Sequence, residues 1–210
     1  MSASFSKPVR MSSAHLELID APDDMLWERH PARALELAHD TAQMLVDHRV
    51  SQRAGETLKR LKEFVDAEGI ETLADLWAPA EASSLPGALW RLFVMRQHLS
   101  SRPDVLADLV DRGLGQLSTI DPVIVGAEEP VSADGVLEIV NQILEGTFSG
   151  NLSSALERAA ALARVVSAGL LDWPITDTSE SDTALSALHW EELSRALSES
   201  ARREKSGQLR

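Results

Sequence analysis

Six histidines and 33 aspartates and glutamates are the groups through which this chain could do acid–base or metal chemistry; it has no cysteine. The missing thiols remove disulfide scaffolds, thiolate nucleophiles and Cys-ligated zinc or iron–sulfur sites. His39 and Asp40 stand side by side, and an imidazole next to a carboxylate can share a divalent ion that activates water. His15 or His30 could supply a ligand upstream, and Asp104, Asp108 or Asp111 one downstream. His30, His39 and His48 recur every nine residues. On a helix that is two and a half turns, so His39 points away from the other two. At about 1.5 Å per residue, His30 and His48 would lie ~27 Å apart. One ion cannot join them.

The His39-Asp40 pair resembles the dipeptide of the HD phosphohydrolases, an all-helical, metal-dependent class. There an upstream His, the His-Asp pair and a later Asp gather around the metal. The resemblance covers these two residues, and the apolar-Gly continuation of that class is replaced here by HDTAQ. It implies a metal-dependent phosphohydrolase using His39 and Asp40. Glu36 and His39 form the Glu-x-x-His step of carboxylate-bridged di-iron bundles, which need a second such step. No other His here has Glu three positions before it.

Other catalytic patterns are missing from the sequence. There is no Gly-x-Ser-x-Gly nucleophile elbow, no phosphate-cradling Gly-x-x-x-x-Gly-Lys-Ser/Thr loop and no Gly-x-Gly-x-x-Gly turn. No Asp-x-Asp-x-Asp-Gly calcium loop occurs. No catalytic, cofactor-binding or metal-ligating residue is assigned, no cofactor is expected, and the reading leans away from an enzyme.

The elements that would position any such residues are helical. With 44% hydrophobic and 25% charged residues, the composition is that of a globular protein. Helix-period stripes begin at Pro31, a favoured first-turn residue, with Ala34, Leu35, Ala38, Ala42, Leu45 and Val46 on one face. A second helix is expected from Ser51 to Ala67, burying Leu58, Leu61 and Val65 and stopping at Gly69. A short one covers Thr72–Trp77. Ser84 and Pro86 open the next, and Pro103 starts another that Gly113 should terminate. Gly113 to Val131 then reads as irregular, with Val123–Val125 a lone extended segment.

Two further helices carry Val136, Ile139, Val140 and Ile143, then Leu152 to Val166. The turn Gly146–Asn151 joins them, and Ser154-Ala-Leu-Glu157 offers a competing capping-box start. The alanines of LSSALERAAALARVV predict close helix approach and a central place in the bundle. A last helix from about Thr183 to Arg203 has Leu185, Leu188, Leu193, Ala196 and Leu197 on its stripe.

The expectation is therefore an all-α protein, a single multi-helix bundle of seven to eight helices with a tethered C-terminal amphipathic helix. Residues 1–20 read as a flexible N-terminal arm, 21–175 as the bundle core, 176–183 as a polar linker, and 184–210 as the C-terminal helix and charged tail. No apolar run nears the roughly 18 residues of a membrane span, and the first twenty residues lack signal-peptide order. A cytoplasmic protein without membrane association is expected.

The net charge is −13, divided into −4 for residues 1–105 and −9 for residues 106–210. Between Pro103 and Glu157 ten acidic residues face one basic residue, Arg112. Such a field repels phosphate backbones, so no nucleic-acid partner is expected. Arg53, Glu56, Arg60 and Glu63 read as an ion-pair ladder on a solvated helix face.

The leading functional expectation is a non-enzymatic module that binds a protein with a basic surface or forms a homo-oligomer. The metal-dependent phosphohydrolase is the alternative. A third reading is an apolar small-ligand binder with an inter-helix pocket lined by Trp77, Trp90, Trp173 or Trp190. Core packing is the simpler role for those rings.

Overall fold

Serine, asparagine and proline mark where the helices begin. The structure, a computed structural model, describes residues 31–46, 55–117, 132–173 and 180–210. Among them are eight helices and no strand: α1 (Pro31–Val46), α2 (Gly55–Glu68), α3 (Ile70–Trp77), α4 (Leu85–Ser101), α5 (Pro103–Leu117), α6 (Ala133–Leu144), α7 (Leu152–Leu171) and α8 (Glu180–Lys205). The chain is all-α, as expected. The arm at 1–20, residues 47–54 and the Val123–Val125 segment lie outside the described residues.

At the start of α4 the Ser84 hydroxyl accepts from the Gly87 amide, with Pro86 in the first turn. Ser132 caps α6 in the same way through Gly135. For α7 the cap is Asn151, whose side chain accepts from the Ser154 amide at 2.9 Å. Each cap satisfies one of the amides that a helix start leaves without a partner. The capping box at Ser154 is therefore not the start.

α7 is the axis. It packs against α5, α6 and, over the longest shared interface, α8. The α7–α8 seam is antiparallel and built from small residues at a spacing of seven. Ser153, Ala160 and Ser167 on α7 meet Ala201, Ser194 and Ala187 on α8, and all six are buried. Each serine hydroxyl crosses the seam to a backbone carbonyl: Ser153 to Ala201 at 3.0 Å, Ser194 to Ala160 at 2.9 Å and Ser167 to Ala187 at 2.8 Å. Seven residues make almost two turns, so the small side chains stay on one stripe. Their size brings the backbones close enough for these bonds.

On its other side α7 crosses α5 through two reciprocal glycines. A Cβ on Gly113 would lie 1.9 Å from the Val165 carbonyl oxygen, and one on Gly169 would lie 2.0 Å from that of Leu109. This corrects the expectation that Gly113 ends its helix. α5 continues to Leu117 because Gly113 serves as a contact surface, its hydrogen atom admitting the neighbouring backbone.

α1 packs on α3 and α4, and α4 on α6. The face that α1 buries is Ala34, Leu37, Ala38, Thr41, Ala42 and Leu45, whereas Leu35 is 47% exposed. The stripe read from sequence was thus rotated at its start. The C-terminal segment turns back after Lys205: Leu209 is buried, and the Arg210 carbonyl accepts from the Leu85 amide at 2.8 Å. Arg203 joins the same corner, donating to the Ser83 carbonyl and pairing with Glu199 and Glu81.

Candidate functional site

His39 and Asp40 both lie half-buried on α1. The His39 ring uses Nδ1 on the Leu35 carbonyl one turn earlier, at 2.8 Å. Asp104, Asp108 and Asp111 are exposed on α5, a helix that packs on α7 while α1 packs on α3 and α4. No three His, Asp or Glu side chains converge as a metal site among the described residues. His15 and His30 fall outside those residues. The sequence-level candidates are therefore not brought together.

The tryptophans have separate structural surroundings. Trp77 is fully buried, and its indole N–H donates to the Thr41 hydroxyl at 3.1 Å. Trp173 stacks against the Arg112 guanidinium 5.3 Å from its ring centre, while Arg112 also reaches Asp172. Trp190 meets the His98 ring edge-on at 5.8 Å. Arg91 lies over Trp90 and donates to the Gly87 carbonyl, and burial lowers its pKa below the ordinary guanidinium value. None of these rings lines the cleft beside Gln43 and Glu204 or the one beside Arg96.

A different surface stands out where α7 ends and α8 begins. Leu171 is 71% exposed, Leu185 53% and Leu188 59%. The seam pairs residue 167 with 187, so Leu185 and Leu188 lie within roughly 8 Å, along the helix axis, of the level reached by Leu171. The sequence placed Leu185 and Leu188 on one apolar stripe with Leu193, Ala196 and Leu197, either packing back on the bundle or facing a partner. In fact α8 turns Ala187, Ser194, Leu197 and Ala201 to α7. The α8 helix does pack on its own bundle, but with small residues, which leaves these leucines in water.

No protein-family model matches the chain, nor does any curated protein or solved structure. The surface must be read on its chemistry.

Along the sequence that carries these leucines the chemistry is one-sided. Residues 171–192 contain six acidic side chains (Asp172, Asp177, Glu180, Asp182, Glu191 and Glu192) and no Lys or Arg. Of these, Asp172 is tied to Arg112 and Gln116 of α5. Glu192 is exposed one turn beyond Leu188. Glu191 pairs with Arg195 one turn on, at 3.0 Å. The clue available in the sequence was this run of acid, with no Lys or Arg inside it, around a leucine pair. No helix among the described residues is long and apolar enough to cross a membrane.

Proposed function

We propose that this chain is a protein-binding helical module whose docking face is the exposed leucine pair of α8, Leu185 and Leu188. Its occupant is an amphipathic helix carrying Lys or Arg beside its own apolar stripe. The observation that supports the reading is the placement of two well-exposed leucines, three positions apart on α8, inside a 22-residue stretch that is wholly acidic in its charged side chains. Clustered exposed apolar side chains mark interaction surfaces, and a helix laid on an apolar face is a recurrent mode of recognition. The acidic composition of this stretch sets the sign of the partner and speeds its approach. A second copy of the chain fits less well, because each copy carries −13 and like fields repel.

The test is fluorescence anisotropy with a labelled Leu/Lys helical peptide and its Leu/Glu counterpart. The Leu/Lys peptide should bind, weaken as salt rises, and lose at least about tenfold in affinity on L185E/L188E. Leu35→Glu places one such charge at an exposed leucine of α1 and should leave binding in place. Equal binding of both peptides, or equal loss from Leu35→Glu, overturns the reading. So does sedimentation showing a dimer that L185E/L188E dissolves.

A further inference from the structure

A second feature lies on the opposite set of helices and does not depend on the leucine face. A cleft of about 380 Å³ opens between α1, α2, α3, α4 and α6. Its floor is aliphatic, made by Leu45, Leu61, Val65, Ile70 and Leu144. Its charged lining is divided: Arg96 comes from α4, whereas Asp66, Glu71 and Glu145 come from α2, α3 and the end of α6. Arg96 is half-buried and the three carboxylates are exposed. Glu71 accepts a long hydrogen bond from the Gln97 side chain at 3.5 Å. Among the described residues no ion pair joins Arg96 to Asp66, Glu71 or Glu145, although all four line one cleft.

Opposite charges held apart across a small apolar floor match a ligand that carries both charges and an apolar body. We infer that the cleft binds a zwitterionic amino acid with an aliphatic or aromatic side chain. Its carboxylate meets Arg96, its ammonium lies between Asp66 and Glu145, and its side chain rests on the floor. A planar guanidinium suits a carboxylate, because two parallel N–H donors match its two oxygens. A purely anionic ligand would be opposed by the protein's overall charge and by the three carboxylates, and a purely cationic one would leave Arg96 unmatched. A zwitterion avoids both penalties. The volume lies at the small end of the roughly 300–1,000 Å³ of ligand pockets, which suits one amino acid with hydration water.

Isothermal titration of the full chain tests this with four ligands: L-leucine, leucinamide (ammonium without carboxylate), isocaproate (carboxylate without ammonium) and glycine (no apolar body). Leucine should bind saturably at millimolar concentration or below, with each of the other three at least about tenfold weaker. Arg96→Gln should remove the preference of leucine over leucinamide, and Glu145→Gln should weaken the preference over isocaproate. Glu145 is exposed, so its replacement keeps the fold, and circular dichroism checks Arg96→Gln. L185E/L188E should leave leucine binding unchanged, which separates this site from the docking face. The inference is overturned if leucine does not bind saturably. It is equally overturned if leucinamide or isocaproate binds as well as leucine, or if Arg96→Gln folds and keeps the full preference.

Discussion

Trp77 gives its indole proton to Thr41, and Thr41 passes its own hydroxyl proton to the Leu37 and Ala38 carbonyls. Both residues are wholly buried, so this relay is how α3 docks its largest side chain on α1 without stranding a polar atom. Thr41→Val keeps the shape and removes the acceptor. An orphaned buried donor costs about 1–3 kcal/mol. Thr41→Ser keeps the oxygen and should cost only about 0.8 kcal/mol for the lost methyl. Urea denaturation of the two variants gives the comparison, and equal losses would remove the relay from the account.

The α7–α8 seam predicts a size-ordered response at Ser194. Ser194→Ala removes the bond to the Ala160 carbonyl and the acceptor of the longer Arg164 bond, and should cost about 0.5–1.5 kcal/mol for each. Ser194→Leu must also push the backbones apart, adding roughly 1–3 kcal/mol of overpacking. If leucine were tolerated as well as alanine, the close approach would be wrong.

The three glycines of α5 and α7 should behave oppositely on replacement by alanine. At Gly113 and Gly169 the new methyl meets backbone at 1.9 and 2.0 Å, and neither neighbour can swing aside. Each variant should lose roughly 1–3 kcal/mol. Gly115 is exposed on α5 with nothing within 4 Å of the added carbon, so its replacement should stabilise the helix by about 0.5–1 kcal/mol. Thermal melts rank all three.

Hydrogen bonds from Arg202 and Arg203 hold the Glu199 carboxyl below its ordinary value of 4.5. The ionised form is favoured in the folded chain, so its contribution to stability is complete above the unfolded-state pKa. It is lost as the pH falls through the lower folded value. Carbon-13 titration should show Glu199 moving back toward 4.5 in R202Q, and further in R202Q/R203Q. A midpoint that ignores both changes would rule out the arginines as the cause.

The fold class and most helix starts were legible because they follow from local chemistry. Pro31, Ser84, Pro103 and the Gly146–Asn151 turn announce themselves through caps and fixed dihedrals. Two tertiary facts were not. Gly113 reads as a helix stop in isolation and becomes a contact only when Val165 arrives from 52 positions away. Which part of the α8 stripe turns inward was not legible, because periodicity groups the leucines, whereas the seam is governed by how near two backbones can come: Leu197 is buried while Leu185 and Leu188 are exposed. Of the candidate sites, His39-Asp40 was visible as a dipeptide but has no converging partners among the described residues. The divided cleft was invisible, because its charges come from four separate helices.

The alternation of Ser and Ala along the seam also has a parity. α7 reads Ser, Ala, Ser where α8 reads Ala, Ser, Ala, so every level holds one hydroxyl and one methyl. Sliding α8 by one heptad would set Ser194 against Ser167 and Ala201 against Ala160. One level would then crowd two hydroxyls and the next would have none. A uniform alanine seam would permit such slippage at little cost, but this one encodes its own vernier, and the two longest helices can lock in one setting only.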